Sequence, residues 1–123
     1  MTDKEIFIEK LKVRTKLLAV DIIKFCDSLK SCKASTVITY QLVKSATSIG
    51  ANYRAACRAR SQAEFFSKIC IVVEKADETE YWLEIIKDSN LHTETDELQR
   101  LLHETNEITR IMTKAKSSTY GKK

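Results

Sequence analysis

Residues 45–86 read SATSIGANYRAACRARSQAEFFSKICIVVEKADETEYWLEII, and this stretch must either run as one helix or turn back on itself. Its first half carries Thr39, Leu42, Ala46, Ile49, Tyr53 and Ala56 at alternating spacings of three and four, the seam of a helix in a bundle. Continued without a break, that seam would land on Arg60, Ala63, Ser67, Cys70, Glu74 and Asp77. Two carboxylates in a core without partners would be costly. A second seam starts in a new phase: Phe65, Ile69, Val72, Ala76, Thr79, Leu83 and Ile86. Between the two lies Ser61-Gln62-Ala63-Glu64, a capping-box pattern at a helix start. The chain is therefore predicted to reverse near Arg60.

Outward from this hairpin, the pattern predicts a helix on each side. Asp3 to Leu29 carries the seam Ile8, Leu11, Thr15, Leu18, Ile22, Phe25 and Leu29, with Thr2-Asp3-Lys4-Glu5 as a capping box. The polar run KSCKAS, residues 30–35, is short enough to join antiparallel neighbours, with Ser35 as the expected cap of a second helix reaching Ala59. A third helix spans Gln62 to Asp88. Thr93 or Thr95 is expected to cap a fourth, whose seam is Leu98, Leu101, Thr105, Ile108 and Met112. The expected fold is all-α: an antiparallel up-down four-helix bundle over residues 1–116, followed by a basic, disordered tail over 117–123.

Composition agrees with that fold. The chain has 123 residues, no proline and two glycines, which suits one all-helical domain. No run of about 18 apolar residues could span a membrane, and MTDKEIFIEK is charged where a signal peptide needs an apolar block. Cytoplasm is the expected compartment, with no membrane partner. Cys26, Cys32, Cys57 and Cys70 form no C-x-x-C pair and read as reduced, mostly buried small hydrophobes.

Two apolar surfaces exceed what one bundle needs. On the first helix Ile6, Val13, Leu17, Val20 and Ile23 lie off the seam; on the second, Tyr40, Val43, Thr47 and Gly50 line another face. Ile6, Val13, Leu17, Val20, Tyr40, Val43 and Thr47 are therefore the expected subunit interface of a homo-oligomer.

Charge is unevenly distributed. Residues 1–60 carry +7, residues 61–111 carry −7 and residues 112–123 carry +4, giving the net +4. Basic helices packed beside acidic ones would account for this, as would a basic surface facing an anionic partner. For the latter, Lys10, Lys12, Arg14, Lys16, Lys44, Arg54 and Arg58, with the tail lysines, are the candidate RNA or DNA contacts. Arg54 and Arg58 could instead pair with third-helix carboxylates of the same or a neighbouring subunit.

The residues argue against catalysis. A di-iron bundle needs Glu-x-x-His pairs, but Ser89 and Arg100 stand three residues before His92 and His103. Asp77, Glu80 and Glu84 lie beside the third helix's seam and read as a solvated or salt-bridged face. The wide spacing of Cys26, Cys32 and a distant His disfavours zinc. No glycine-rich phosphate loop is present. No metal, cofactor or catalytic residue is expected. His92 and His103 read as exposed bystanders, and Tyr81 and Trp82 as packing at a helix edge.

The central stretch also resembles a family, the proteins encoded in 23S rRNA intervening sequences. Their pattern runs roughly S-I-P-A-N-I-A-E-G, then R-R-S-x-x-E-F, then a helix with several Glu. Ser48-Ile49-Gly50-Ala51-Asn52-Tyr53 and Arg60-Ser61-Gln62-Ala63-Glu64-Phe65 match it, with Glu78 and Glu80 in the acidic part of the next helix. Gly50 replaces the common Pro, and Ala55-Ala56 replace Glu-Gly, so a function carried by that Glu would be absent here. The resemblance implies a four-helix bundle assembling as a ring-like homopentamer, in some members with a basic surface. A related accessory protein of diversity-generating retroelements binds nucleic acid and a reverse transcriptase. Two functions follow as expectations: a non-enzymatic oligomeric adaptor that binds RNA or DNA by charge, or a protein-binding scaffold with no nucleic-acid role.

Overall fold

A computed structural model describes residues 1–120. Four helices account for the regular structure among them: α1 (Asp3–Cys26), α2 (Lys33–Cys57), α3 (Gln62–Asp88) and α4 (Thr95–Tyr120). The reversal expected near Arg60 is present. Ser61 caps α3, its Oγ accepting from the Glu64 backbone N–H at 3.1 Å. The Glu64 carboxylate does not complete the box; it lies 3.8 Å from the Arg60 guanidinium instead. At the start of α1 both halves of the box form: Thr2 Oγ1 accepts from Glu5 N–H at 3.1 Å, and Glu5 Oε1 accepts from Thr2 N–H at 3.0 Å.

The bundle is up-down, each helix packing against its neighbours around a ring, α1 to α2 to α3 to α4 and back to α1. Side-chain bonds give the direction of each pair. Arg14 meets Glu104 and Asp21 meets Arg100, so α1 and α4 run antiparallel. Asn106 meets Glu80 and Thr119 meets Gln62, so α3 and α4 do too. At one end the two loops are tied together: Lys30 N–H donates to Leu91 O at 2.9 Å, and Thr93 Oγ1 donates to Ser28 O at 2.7 Å.

Each seam read from the sequence forms the core. Leu11, Leu18, Ile22 and Phe25 of α1, Leu42, Ala46, Ile49 and Tyr53 of α2, Ile69, Val72, Ala76, Leu83 and Ile86 of α3, and Leu98, Leu101, Ile108 and Met112 of α4 are buried. Full burial of one such large side chain is worth about 1.5–3 kcal/mol. The seam threonines Thr15, Thr79 and Thr105 are fully buried without loose hydroxyls, each donating to a carbonyl one turn back. The Thr79 hydroxyl also lies 2.9 Å from Ser45 Oγ and shares its one proton between that oxygen and the carbonyl, a buried link between α2 and α3. The contact between α2 and α3 is the most extensive of the helix pairs, and the small residues of α2 allow close approach along it.

The structure corrects several local expectations. Helix α1 ends at Cys26, not Leu29, because Ser28 turns the chain: its N–H and Oγ both donate to Phe25 O. Cys32, not Ser35, caps α2. The Cys32 thiol accepts from Ser35 N–H at 3.4 Å, while Ser35 Oγ accepts from Cys32 N–H at 3.0 Å. The four cysteines are free, yet Cys26, Cys57 and Cys70 are only half-buried and Cys32 is exposed. Thr93 does not cap α4, since its hydroxyl serves the loop–loop bond. Helix α4 continues through Tyr120, past the expected boundary at residue 116. The seam step from Met112 to Ala115 to Thr119 keeps burying side chains on the same face, and Thr119 O accepts from Gln62 Nε2. Residues 121–123 of the expected tail lie outside the described residues.

At Gly50 α1 and α2 approach closely. A Cβ there would lie 3.2 Å from Thr15 Oγ1 and 3.6 Å from the Lys16 backbone nitrogen. Thr15 cannot swing away freely, because it is buried and its hydroxyl is bonded to Lys12 O. Alanine should gain about 1 kcal/mol in helix propensity and lose a similar amount to this contact. Urea unfolding of Gly50→Ala should therefore fall within about 1 kcal/mol of wild type, while Gly50→Val should lose about 1–3 kcal/mol by overpacking. A Gly50→Val protein as stable as wild type would show that the approach is not tight.

Candidate functional site

The tight crossing at Gly50 and Thr15 fixes which surface residues of α1 and α2 meet. Beside this crossing, Glu9, Lys12, Val13 and Lys16 of α1 with Arg54 and Arg58 at the end of α2 line a groove of about 470 Å³. Glu9 pairs with Lys12 at 3.2 Å. Lys16, Arg54 and Arg58 have no carboxylate within ion-pair distance among the described residues. Three uncompensated cations, two with planar guanidinium forks, therefore converge on one concave surface. Such forks match the oxygens of phosphate or carboxylate.

The seven candidate contacts are thus divided by the fold. Lys12, Lys16, Arg54 and Arg58 come together. Lys10 is exposed but does not line the groove, and Lys44 is exposed with its ammonium 5.9 Å from the centre of the Tyr40 ring. Arg14 leaves the set altogether. Its guanidinium grips Glu104 through two bonds of 2.6 and 2.8 Å and reaches Glu107 at 2.9 Å, so its charge is spent joining α1 to α4. Among the described residues neither Arg54 nor Arg58 pairs with a carboxylate of α3.

The off-seam apolar residues of α1 do face outward. Val13 is 66% exposed and Leu17 54%, with Ile6 and Val20 partly open beside them. On α2, Tyr40 is 64% exposed, Thr47 is exposed and Val43 is half-buried. Val13 belongs to both features, because it lines the groove and stands in the apolar stripe. Phe7 and Val37, which the sequence reading passed over, are also exposed. For Phe7 the missed signal was position: it stands beside the seam residue Ile8 in the first turns of α1, at the open end of the bundle.

Elsewhere the acidic stripe is solvated or bonded. Asp77 and Glu84 are exposed, and Glu80 accepts two bonds from Asn106 Nδ2. No three His, Cys, Asp or Glu among the described residues are grouped to hold a metal ion. His103 is exposed near Glu107, whereas His92 is half-buried rather than a fully exposed bystander. Trp82 packs against the core, with Tyr81 edge-on at 5.2 Å. No described helix is long and apolar enough to cross a membrane.

The ion pairs of Arg14, between α1 and α4, and of Arg100, within α4, predict acid sensitivity. The Arg14 bond holds the Glu107 carboxyl below its ordinary 4.5, and Arg100 does the same for Glu97. A carboxyl depressed by folding contributes its full stabilisation above its unfolded pKa, and this is lost as pH falls through the lower folded value. Thermal midpoints should therefore drop below about pH 4.5, and less steeply in Arg14→Met, which starts lower at neutral pH and has less to lose. Parallel slopes for the two proteins would show that the pair contributes nothing.

Comparison with known proteins agrees with the architecture. The model for 23S rRNA-intervening sequence protein matches residues 9–114. A solved structure from Bacteroides thetaiotaomicron, a protein of unknown function from the S23 ribosomal protein family, is similar with a TM-score of 0.77 and 31% identity. The match covers 86% of this chain and 97% of that one. No curated protein matches. With the bundle, the central motif and nearly the whole of α1 to α4 inside the match, the chain belongs to the 23S rRNA-intervening sequence protein family.

Proposed function

We propose that this protein is a non-enzymatic, cytoplasmic homo-oligomer whose α1–α2 groove holds the backbone of RNA or DNA by charge. The observation that carries the reading is the convergence of Lys16, Arg54 and Arg58, unpaired among the described residues, beside Lys12. Phosphate recognition by such a surface is largely independent of sequence and weakens with salt. The apolar stripe supports assembly. Ile6, Val13, Leu17 and Val20 occupy the side of α1 turned away from its own core, where only another surface could cover them. A cyclic ring, five-fold by resemblance to the family, would cover each stripe once per subunit.

A second reading, a protein-binding scaffold, draws on one specific observation. Val13 joins the groove to the apolar stripe, so a neighbouring subunit's acidic helix could fill the groove and use its cations for assembly. The two readings separate in a paired experiment.

Filter binding to generic duplex DNA and single-stranded RNA at two salt concentrations should give slopes of about 2.7 and 2.1 per groove, for three contacts. Lys16→Glu should weaken binding equally across sequences and leave the oligomer intact by light scattering. Val13→Glu with Leu17→Glu should release chains of 14.1 kDa that keep their helical content. Failure of the wild type to bind either nucleic acid at low salt would remove the adaptor reading. Loss of assembly in Arg54→Glu or Arg58→Glu would then favour the scaffold. A wild type of 14.1 kDa at micromolar concentration would overturn both.

A further inference from the structure

At the end of the bundle opposite the tied loops, the core gives out before the helices do. The seams of α2 and α4, which elsewhere carry Ile, Leu and Met, finish there in Ala56 and in Ala115 and Thr119. These small side chains leave the space between the helix ends unfilled, and a cavity of about 830 Å³ opens there. Its walls are apolar and aromatic: Phe7, Ile8, Leu11, Tyr53, Phe65 and Ile111. Phe7 remains half exposed at this site, a large aromatic that the bundle itself leaves uncovered. Burial pushes the Tyr53 phenol well above its ordinary value, so it stays a neutral hydroxyl beside Cys57.

The charge of the cavity is one-sided. Lys4 and Lys114 line it, and none of the described residues that do so is acidic. Neither lysine has an ion-pair partner among the described residues. A concave, mainly apolar site of this size with a few polar groups has the form of a small-molecule pocket. Its two free ammonium groups select the sign of the occupant. We propose that this cavity binds a single-chain anionic amphiphile, a long-chain carboxylate, with its tail among Phe7, Tyr53, Phe65 and Ile111 and its head between Lys4 and Lys114. The site lies apart from the Lys16, Arg54 and Arg58 groove, since the two share no lining residue.

Titration calorimetry with dodecanoate, kept below its micelle concentration, tests the assignment on the full chain. One dodecanoate should bind per chain, and dodecyltrimethylammonium, with the same tail and opposite charge, should bind far more weakly. Lys4→Glu combined with Lys114→Glu should reduce dodecanoate affinity by roughly tenfold. Ala115→Leu should abolish binding by filling the cavity. Ser118→Phe, at an exposed lining position, should do the same where Ala115→Leu disturbs the helix, as judged by circular dichroism. Equal binding of the two amphiphiles, affinity unchanged in both cavity-filling variants, or no dodecanoate binding would each overturn the proposal.

Discussion

The structure depends on the phase change between the α2 and α3 seams. A helix carried on from Ala56 would bring Glu74 and Asp77 to the core, so the chain must turn before Ile69 can be buried. Once it turns, the Ser45–Thr79 bond sets the antiparallel register of the two helices. Counting forward along α2 and back along α3 from that bond brings Ile49, Tyr53 and Ala56 level with Ala76, Val72 and Ile69. A large or aromatic side chain thus stands level with a small or branched one at successive levels, which suits close packing of the two helices. Helices α1 and α4 complete this hairpin from outside, and they are joined to each other mainly by charge, Arg14 to Glu104 and Arg100 to Asp21.

That division of labour leaves α1 unusual. Its inner face is an ordinary seam, but its outer face carries Val13 and Leu17 instead of the polar residues of a solvated helix. Its two flanks also differ. The flank toward α4 spends its cation on carboxylates, while the flank toward α2 keeps Lys16 opposite Arg54 and Arg58. The net charge of +4 is therefore a poor guide to where charge acts. Arg14 and Arg100 are held by carboxylates between α1 and α4, while Lys16, Arg54 and Arg58, unpaired among the described residues, meet beside the crossing of α1 and α2.

Much of the fold was legible because periodicity reports burial directly. Leu11, Ile22, Leu83 and Met112 could be placed in the core from spacing alone, and Ser61 and Thr2 from their capping patterns. What spacing could not supply was register between helices. Arg14 looked like Lys16 in sequence; only the position of α4, ninety residues away, separates a paired guanidinium from an unpaired ammonium group. Likewise the groove requires Gly50 to sit on Thr15, a relation between two helices that neither helix announces. Cys32 was missed because a thiol is a weak acceptor and an uncommon cap, while Ser35 beside it looked better suited. Thr119 was missed because its polar neighbours mask the last step of the seam.

The central claim is that the outer surface of α1 and the adjoining part of α2 face another subunit and not water. Hydroxyl-radical footprinting of the native protein, read by mass spectrometry, tests it with a control inside the same molecule. In the single chain Tyr40 is 64% exposed and Tyr81 54%, so an isolated bundle would oxidise both at similar rates. The account predicts that Tyr40, Val13 and Leu17 are protected while Tyr81 reacts freely; equal reactivity of Tyr40 and Tyr81, with Val13 and Leu17 as open as the single chain leaves them, would contradict it.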